Sequence, residues 1–190
     1  MFDLGEVLVP SSGVLPLLAA ELAVSTEALA AAYWPGRLAY DLGGDELTYW
    51  ESVLGGLGRA PEPALVERVA ALDAAKWSLL PAAGQALLDR LAGRRLGVLS
   101  NAPGPLAAAV RAARWSRDVD VLVFSAEVGL VKPDPRIYAR ADELYGTRPG
   151  DVVFFDDRAD NVAAARAHGW DAHVWVPGMT ADDVEALLPG

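Results

Sequence analysis

The chain opens Met1-Phe2-Asp3-Leu4-Gly5-Glu6-Val7-Leu8-Val9, an apolar run with one carboxylate set into it. An ionised carboxylate inside a buried strand is costly to desolvate without a partner, so this stretch calls for a cation from elsewhere in the chain. It reads as a short strand that delivers Asp3 to a loop, with Gly5 letting the backbone approach something closely. A central parallel strand ordinarily runs about five residues, yet only Met1 and Phe2 precede Asp3. The strand is therefore either unusually short or begins upstream.

Outward from this run, residues 11–83 carry no strand signal. Leu15 to Ala23 and Ser25 to Trp34 are Ala/Leu-rich helical stretches, the second capped by Ser25 with Glu27 in its first turn. Asp45 to Leu57 sets Trp50, Val53, Leu54 and Leu57 at helical spacing. Pro61 and Pro63 start a further helix in which Leu65, Val69 and Leu72 share a face. The aromatic residues of this all-helical lobe, Trp34, Tyr40, Trp50 and Trp77, are assigned to its core. Arg37 could meet a carboxylate, but a surface arginine is the commoner reading.

After Leu80-Pro81 helices and apolar runs alternate, the pattern of a parallel sheet with crossover helices. Strands are expected at residues 96–99, 119–124 and 152–155, with helices at 85–92, 105–114, 136–145 and 161–168. A shorter, half-polar strand at 172–176 suits a sheet edge, and Thr180 with Asp183 caps a closing helix. His168 and His173 have no evident partner and are read as structural.

Composition narrows the function. A length of 190 residues suits one core carrying an inserted lobe. A net charge of -10 with a pI near 4.6, and no basic run, argue against nucleic acid or anionic lipid as partners. The absence of cysteine excludes disulfides, thiolate nucleophiles and cysteine zinc sites. Nothing resembles a signal peptide or a membrane-length apolar span, so a cytoplasmic protein is expected. Oligomeric state leaves no signature.

Strand ends carry the chemistry: Asp3, then Ser100-Asn101, then Asp156-Asp157, with Lys132 in the loop before Pro133. Singly these have ordinary readings, a cap for Ser100-Asn101 or Asp156-Asp157 and an exposed loop charge for Lys132. In an open parallel sheet, however, the carboxyl ends of the strands line one crevice, so the groups should converge. Carboxylates, an ammonium and a hydroxyl around one point can hold a divalent cation and a dianion together, which suits phosphoryl transfer.

The order Phe2-Asp3-Leu4-Gly5, Leu99-Ser100-Asn101, Val131-Lys132-Pro133 and Phe154-Phe155-Asp156-Asp157-Arg158-Ala159-Asp160-Asn161-Val162 resembles the four motifs of the haloacid dehalogenase superfamily. The likeness is to its subfamily IA, with bacterial sugar-phosphate phosphatases among the members it resembles. The resemblance implies an α/β fold: a Rossmann-like core over residues 1–10 and 84–190, with a helical cap over 11–83. It implies Asp3 as the nucleophile that forms an aspartyl-phosphate. Ser100, Asn101 and the neighbouring N–H groups would bind the phosphoryl oxygens, with Lys132 neutralising nucleophile and phosphate. Asp157, helped by Asp156, would hold Mg²⁺ with Asp3 and the Gly5 carbonyl. The substrate would be a small phosphorylated metabolite, with a sugar phosphate expected first.

One position departs from that pattern. Many phosphatases of the superfamily carry an acid/base aspartate where this chain has Gly5; Glu6 is a candidate substitute, although a change of one position alters which way the side chain points. Substrates with undemanding leaving groups are then favoured: anomeric sugar, aryl or acyl phosphates. Alternatives are a haloacid dehalogenase, whose relatives lack the acidic pair seen here at Asp156-Asp157, and a non-catalytic protein that binds a phospholigand or a partner.

Overall fold

The alternation after residue 95 folds as a parallel sheet. A computed structural model describes residues 1–189. Strand β1 (Gly97–Ser100) pairs in parallel with β2 (Val121–Phe124), and β3 (Val153–Asp156) pairs in parallel with β4 (Asp171–Val174). Phe2 joins the two pairs by bridging in parallel to both Val98 and Phe155. Its N–H donates to Gly97 O at 2.9 Å, and the Asp3 N–H donates to Phe155 O at 2.8 Å. The resulting order is β2, β1, the opening residues, β3, β4, so Asp3 leaves from the middle of the sheet.

The opening strand is shorter than a regular strand. Immediately after Asp3 the chain turns on itself, with Leu4 O accepting from the N–H groups of both Leu8 and Val9 at 3.0 and 2.8 Å. Two features hold so short a segment in place. The Phe2 ring stacks on Phe155 with centroids 5.2 Å apart, and its burial is worth about 1.5–3 kcal/mol. At Gly97 a Cβ would stand 3.0 Å from Val121 Cγ1 and 3.1 Å from Met1 Cε, so bare backbone there leaves room for the Met1 side chain.

Between the opening run and the sheet the chain is helical, with no strand among the described residues 11–83. The helices are α1 (Leu15–Glu21), α2 (Thr26–Tyr33), α3 (Arg37–Asp41), α4 (Glu46–Gly56) and α5 (Pro63–Trp77), followed by α6 (Ala82–Arg90). Ser25 and Asp45 cap α2 and α4 by accepting from the backbone N–H groups of Ala28 and Thr48. In α5 the buried face is Val66, Val69, Ala70, Asp73, Ala74 and Trp77. Leu65 and Leu72 flank it half-buried, so the face lies about one residue round from the expected one. No single helix among the described residues is long and apolar enough to cross a membrane.

The remaining helices connect and cover the strands: α7 (Gly104–Ala112), α8 (Ser125–Val128), α9 (Pro135–Tyr145), α10 (Ala159–His168) and α11 (Ala181–Leu187). Thr180 and Asp183 form the expected capping box at α11. The sequence gives no sign of α3 or α8, each too short to carry a periodic pattern. His168 is not partnerless: its Nε2 lies 2.8 Å from Asp142 Oδ2, and Asp142 also accepts from the Trp170 indole at 3.1 Å.

The helical segment rests on the sheet-bearing part where α5 meets α7 and α3 meets α8. Ser125, fully buried, ties the second contact together: its hydroxyl donates to Asp41 O at 2.5 Å and accepts from the Ala102 N–H at 2.9 Å. Ser125→Ala would leave a buried donor and a buried acceptor unpaired. A loss of about 1–3 kcal/mol is expected, measurable as a lowered urea midpoint.

Candidate active site

Because parallel strands all end on one edge of a sheet, Asp3, Ser100 and Asp156 emerge side by side from the opening segment, β1 and β3. Lys132 reaches them from the loop between α8 and α9. It is 2% exposed, so the loop-surface reading of this lysine is overturned. Its ammonium lies 2.9 Å from Asp3 Oδ1 and 2.7 Å from Asp156 Oδ2, and donates to Leu99 O at 2.9 Å. Two hydrogen bonds, to Leu99 O and Asp156, and the ion pair with Asp3 engage the ammonium. Burial works against its charge, but Asp3 and Asp156 outweigh burial and hold its pKa above the usual lysine value.

The acids outnumber that cation. Carboxylate oxygens of Asp3, Asp156 and Asp157 lie within 4.8 Å of one another. Burial pushes Asp3 up to about 6 although Lys132 pulls it down, and burial, then the neighbouring Asp156, raises Asp157. A trio of carboxylates beside one ammonium, with two of the acids raised, is an environment short of positive charge, and hard oxygen donors in that arrangement fit Mg²⁺.

The two aspartates of the pair are differently engaged. Asp156 is fully buried, and both its oxygens accept hydrogen bonds: Oδ1 from the Arg158 N–H and Asn161 Nδ2, Oδ2 from Lys132 and Asn161 Nδ2. Asp157 is half-buried and faces the cavity. Asn101 is also committed: its Nδ2 donates to Lys132 O at 3.0 Å while its Oδ1 accepts from the Lys132 N–H at 2.8 Å. Its side chain therefore braces the lysine loop. Ser100 is buried beside Asp3, whose charge its hydroxyl helps to stabilise.

These groups floor a cavity of about 460 Å³ whose opposite wall comes from residues 34–41 and Trp77. Two expectations fail there. Trp34 is 45% exposed, on the cavity and outside the core that Tyr40, Trp50 and Trp77 do join. Arg37, expected at the surface, is 7% exposed. Its Nε donates to Asp41 Oδ1 at 2.8 Å and its Nη1 to Asp73 Oδ2 at 3.1 Å and to the Tyr33 hydroxyl. Asp41 also borders the cavity; burial raises it to about 6 against the pull of Arg37. Glu6 lines the mouth with φ +57, unusual for a side-chain-bearing residue, and accepts from the Ser11 N–H at 3.0 Å.

Trp34, Leu38, Asp41 and Asn161 escaped the sequence reading. A signal for the first two existed in the spacing: Trp34, Leu38 and Leu42 repeat every four residues, interleaved with Tyr33, Arg37 and Asp41. The structure exposes the apolar row and buries the polar one, across the turn that separates α2 from α3.

A family model described as a haloacid dehalogenase-like hydrolase matches residues 1–169. A phosphatase of Mycobacterium tuberculosis is 38% identical over 98 residues, a stretch covering 50% of this chain and 45% of that protein. The chain thus spans less than half the length of that relative. Two solved structures share the fold. One is an L-2-haloacid dehalogenase from Xanthobacter autotrophicus with chloropropionic acid covalently bound (TM-score 0.76, 18% identity, 97% of this chain and 79% of that one). The other is a Bacteroides thetaiotaomicron enzyme, an aspartate-to-alanine mutant in complex with magnesium and inorganic phosphate (TM-score 0.68, 16% identity, 94% and 93%).

Proposed function

The chain belongs to the haloacid dehalogenase-like hydrolase family, and from that premise we propose that it is a Mg²⁺-dependent phosphatase of small phosphorylated metabolites. The observation that carries this reading is Lys132 set between Asp3 and Asp156, with Asp157 beside them. A carboxylate attacks a phosphoryl dianion only when their mutual repulsion is cancelled, and this arrangement provides for that.

Asp3 is the nucleophile. Its Oδ1 is occupied by Lys132 and by the Leu4 N–H at 2.7 Å, which assigns the attack to Oδ2. Asp3 Oδ2 bonds to phosphorus as the ester oxygen leaves, and water then releases phosphate from the aspartyl-phosphate and restores the carboxylate. Ser100 and the backbone N–H groups after it bind the phosphoryl oxygens. Lys132 holds positive charge against both nucleophile and phosphate, while Asp156 and Asn101 hold Lys132. Asp3, Asp157 and the Gly5 carbonyl would hold Mg²⁺, which when bound neutralises charge on the phosphoryl group. Residues 11–83 serve as the cap that closes over the site.

A second reading is haloacid dehalogenation, favoured by the cationic Arg37 at the cavity wall. Its charge is already met by Asp41 and Asp73, and the acidic cluster gives a halide displacement no use for three carboxylates. Phosphate release over a metabolite panel, run beside halide release from chloropropionate, separates the two. Turnover with Mg²⁺ is expected, falling at least about 100-fold in excess EDTA, in line with a several-kcal/mol metal contribution. Halide release that persists in EDTA would overturn the phosphatase reading.

A further inference from the structure

The cap-side wall of the cavity carries information about the substrate beyond its phosphate. Trp34 (45% exposed), Leu38 (57% exposed) and one edge of the largely buried Trp77 give that wall an apolar part, beside the paired Arg37 and Asp41. Outward-facing Trp34 and Leu38, beside the buried Arg37 and Asp41, cost apolar hydration unless something covers them. At Gly5, one residue past Leu4 on the floor, an added Cβ would lie 3.7 Å from the Trp77 ring, so an indole faces the floor where no side chain projects.

Charge points the same way. The cap-side cation, Arg37, is held by Asp41 and Asp73, and so offers no spare positive charge for a second anionic group. Proton donors are equally scarce. Asp3, Asp156 and Asp157 form the acidic floor, the Asp41 carboxylate is bound to Arg37, and the Glu6 carboxylate accepts from the Ser11 N–H. A leaving group in this cavity must depart with little help.

We infer that the preferred substrate is a phosphomonoester of an aromatic alcohol, its ring lying against Trp34, Leu38 and Trp77. This rests on the phosphatase reading and narrows it from sugar, aryl or acyl phosphates to the aryl class. In the step concerned, Asp3 Oδ2 bonds to phosphorus while the bond from phosphorus to the aryl oxygen breaks. The electron pair leaves on a phenolate, which takes its proton from water. A phenol, like a tyrosine side chain, titrates near about 10, against about 15.7 for water, so a phenolate leaves unprotonated far more readily than an alkoxide. The ring supplies the apolar surface that the wall lacks a partner for.

The test compares kcat/KM of the Mg²⁺-loaded full chain on naphthyl phosphate, glucose 6-phosphate and acetyl phosphate, the last carrying no ring to lie against Trp34. Naphthyl phosphate is expected to exceed glucose 6-phosphate by at least about 100-fold, a typical scale for apolar pocket discrimination. In Trp34→Ala, and separately in Leu38→Glu, the ratio of naphthyl to acetyl phosphate kcat/KM is expected to fall about tenfold, as for one lost aromatic or apolar contact. A sugar phosphate preferred over the aryl ester, or a ratio unmoved in both variants, overturns the inference and leaves the phosphatase reading standing if acetyl phosphate turnover disappears in Asp3→Asn. Absence of any Asp3-dependent turnover, acetyl phosphate included, overturns the phosphatase reading and the inference with it.

Discussion

Asp3→Asn is expected to lower phosphate release by at least about 10⁴-fold, the scale on which losing a nucleophile registers, while leaving the fold intact or firmer. The two halves of that result have separate causes. An amide cannot form the acyl-phosphate, so chemistry stops. Stability moves the other way because Asp3 is ionised in the fold at a cost: burial lifts it to about 6, above the usual carboxylate value of 3.8. The folded state therefore takes up a proton that the unfolded chain releases between about pH 4 and pH 6, and acidification through that window favours folding of the wild type. Above pH 6 the penalty is fully present, worth about 2–3 kcal/mol for a shift of that size. Urea melts in EDTA should show Asp3→Asn at least as stable as wild type at pH 8, with the difference shrinking toward pH 4. Lys132 is not orphaned by the change, since Asp156 and Leu99 O remain. A variant that retained turnover would remove Asp3 from the mechanism.

Lys132→Met has the opposite signature. Met fills nearly the same volume, but the substitution strips the counter-charge from Asp3 and Asp156, both buried. Breaking a buried pair by deleting one partner costs about 3–5 kcal/mol, because the charge left behind cannot be hydrated. The same change removes the group that screens nucleophile from phosphate, so turnover should fall with stability. Acidification relieves part of the deficit, since the stranded carboxylates can then protonate. A urea midpoint that drops sharply at pH 8 and recovers partially at pH 5 is the expected pattern. An unchanged midpoint would mean that the ammonium does not bind the two carboxylates together.

The contrast between these variants also marks where sequence reading succeeds and where it stops. The convergence of Asp3, Ser100, Lys132 and the acidic pair was legible because a parallel sheet delivers its strand ends to one edge whatever the loops do. The division of labour between Asp156 and Asp157 was not, because it depends on which carboxylate the Asn161 amide and the Arg158 N–H happen to reach. Nor was the bracing role of Asn101 legible, because its amide's direction is set by a loop 31 residues away. Trp34 was assigned to the core and Arg37 to the surface on residue type alone, and each lies where the other was placed. Their positions follow from Asp73 on α5 and Tyr33 on α2, contacts between helices that periodicity within one helix cannot show.

Phe2 occupies a position with a bearing on motion. The backbone of residues 1–3 closes hydrogen bonds to both β1 and β3, Phe2 with Gly97 and Leu99 on one side, Met1 and Asp3 with Phe155 on the other. Asp3 therefore has no local route to openness: freeing it means parting the two halves of the sheet. In amide hydrogen exchange the Phe2, Asp3, Leu99 and Phe155 N–H groups are expected to be among the last to exchange, at the free energy of global unfolding. The helices of residues 11–83 are expected to exchange by smaller openings, so that the Asp3 carboxylate stays fixed while they open.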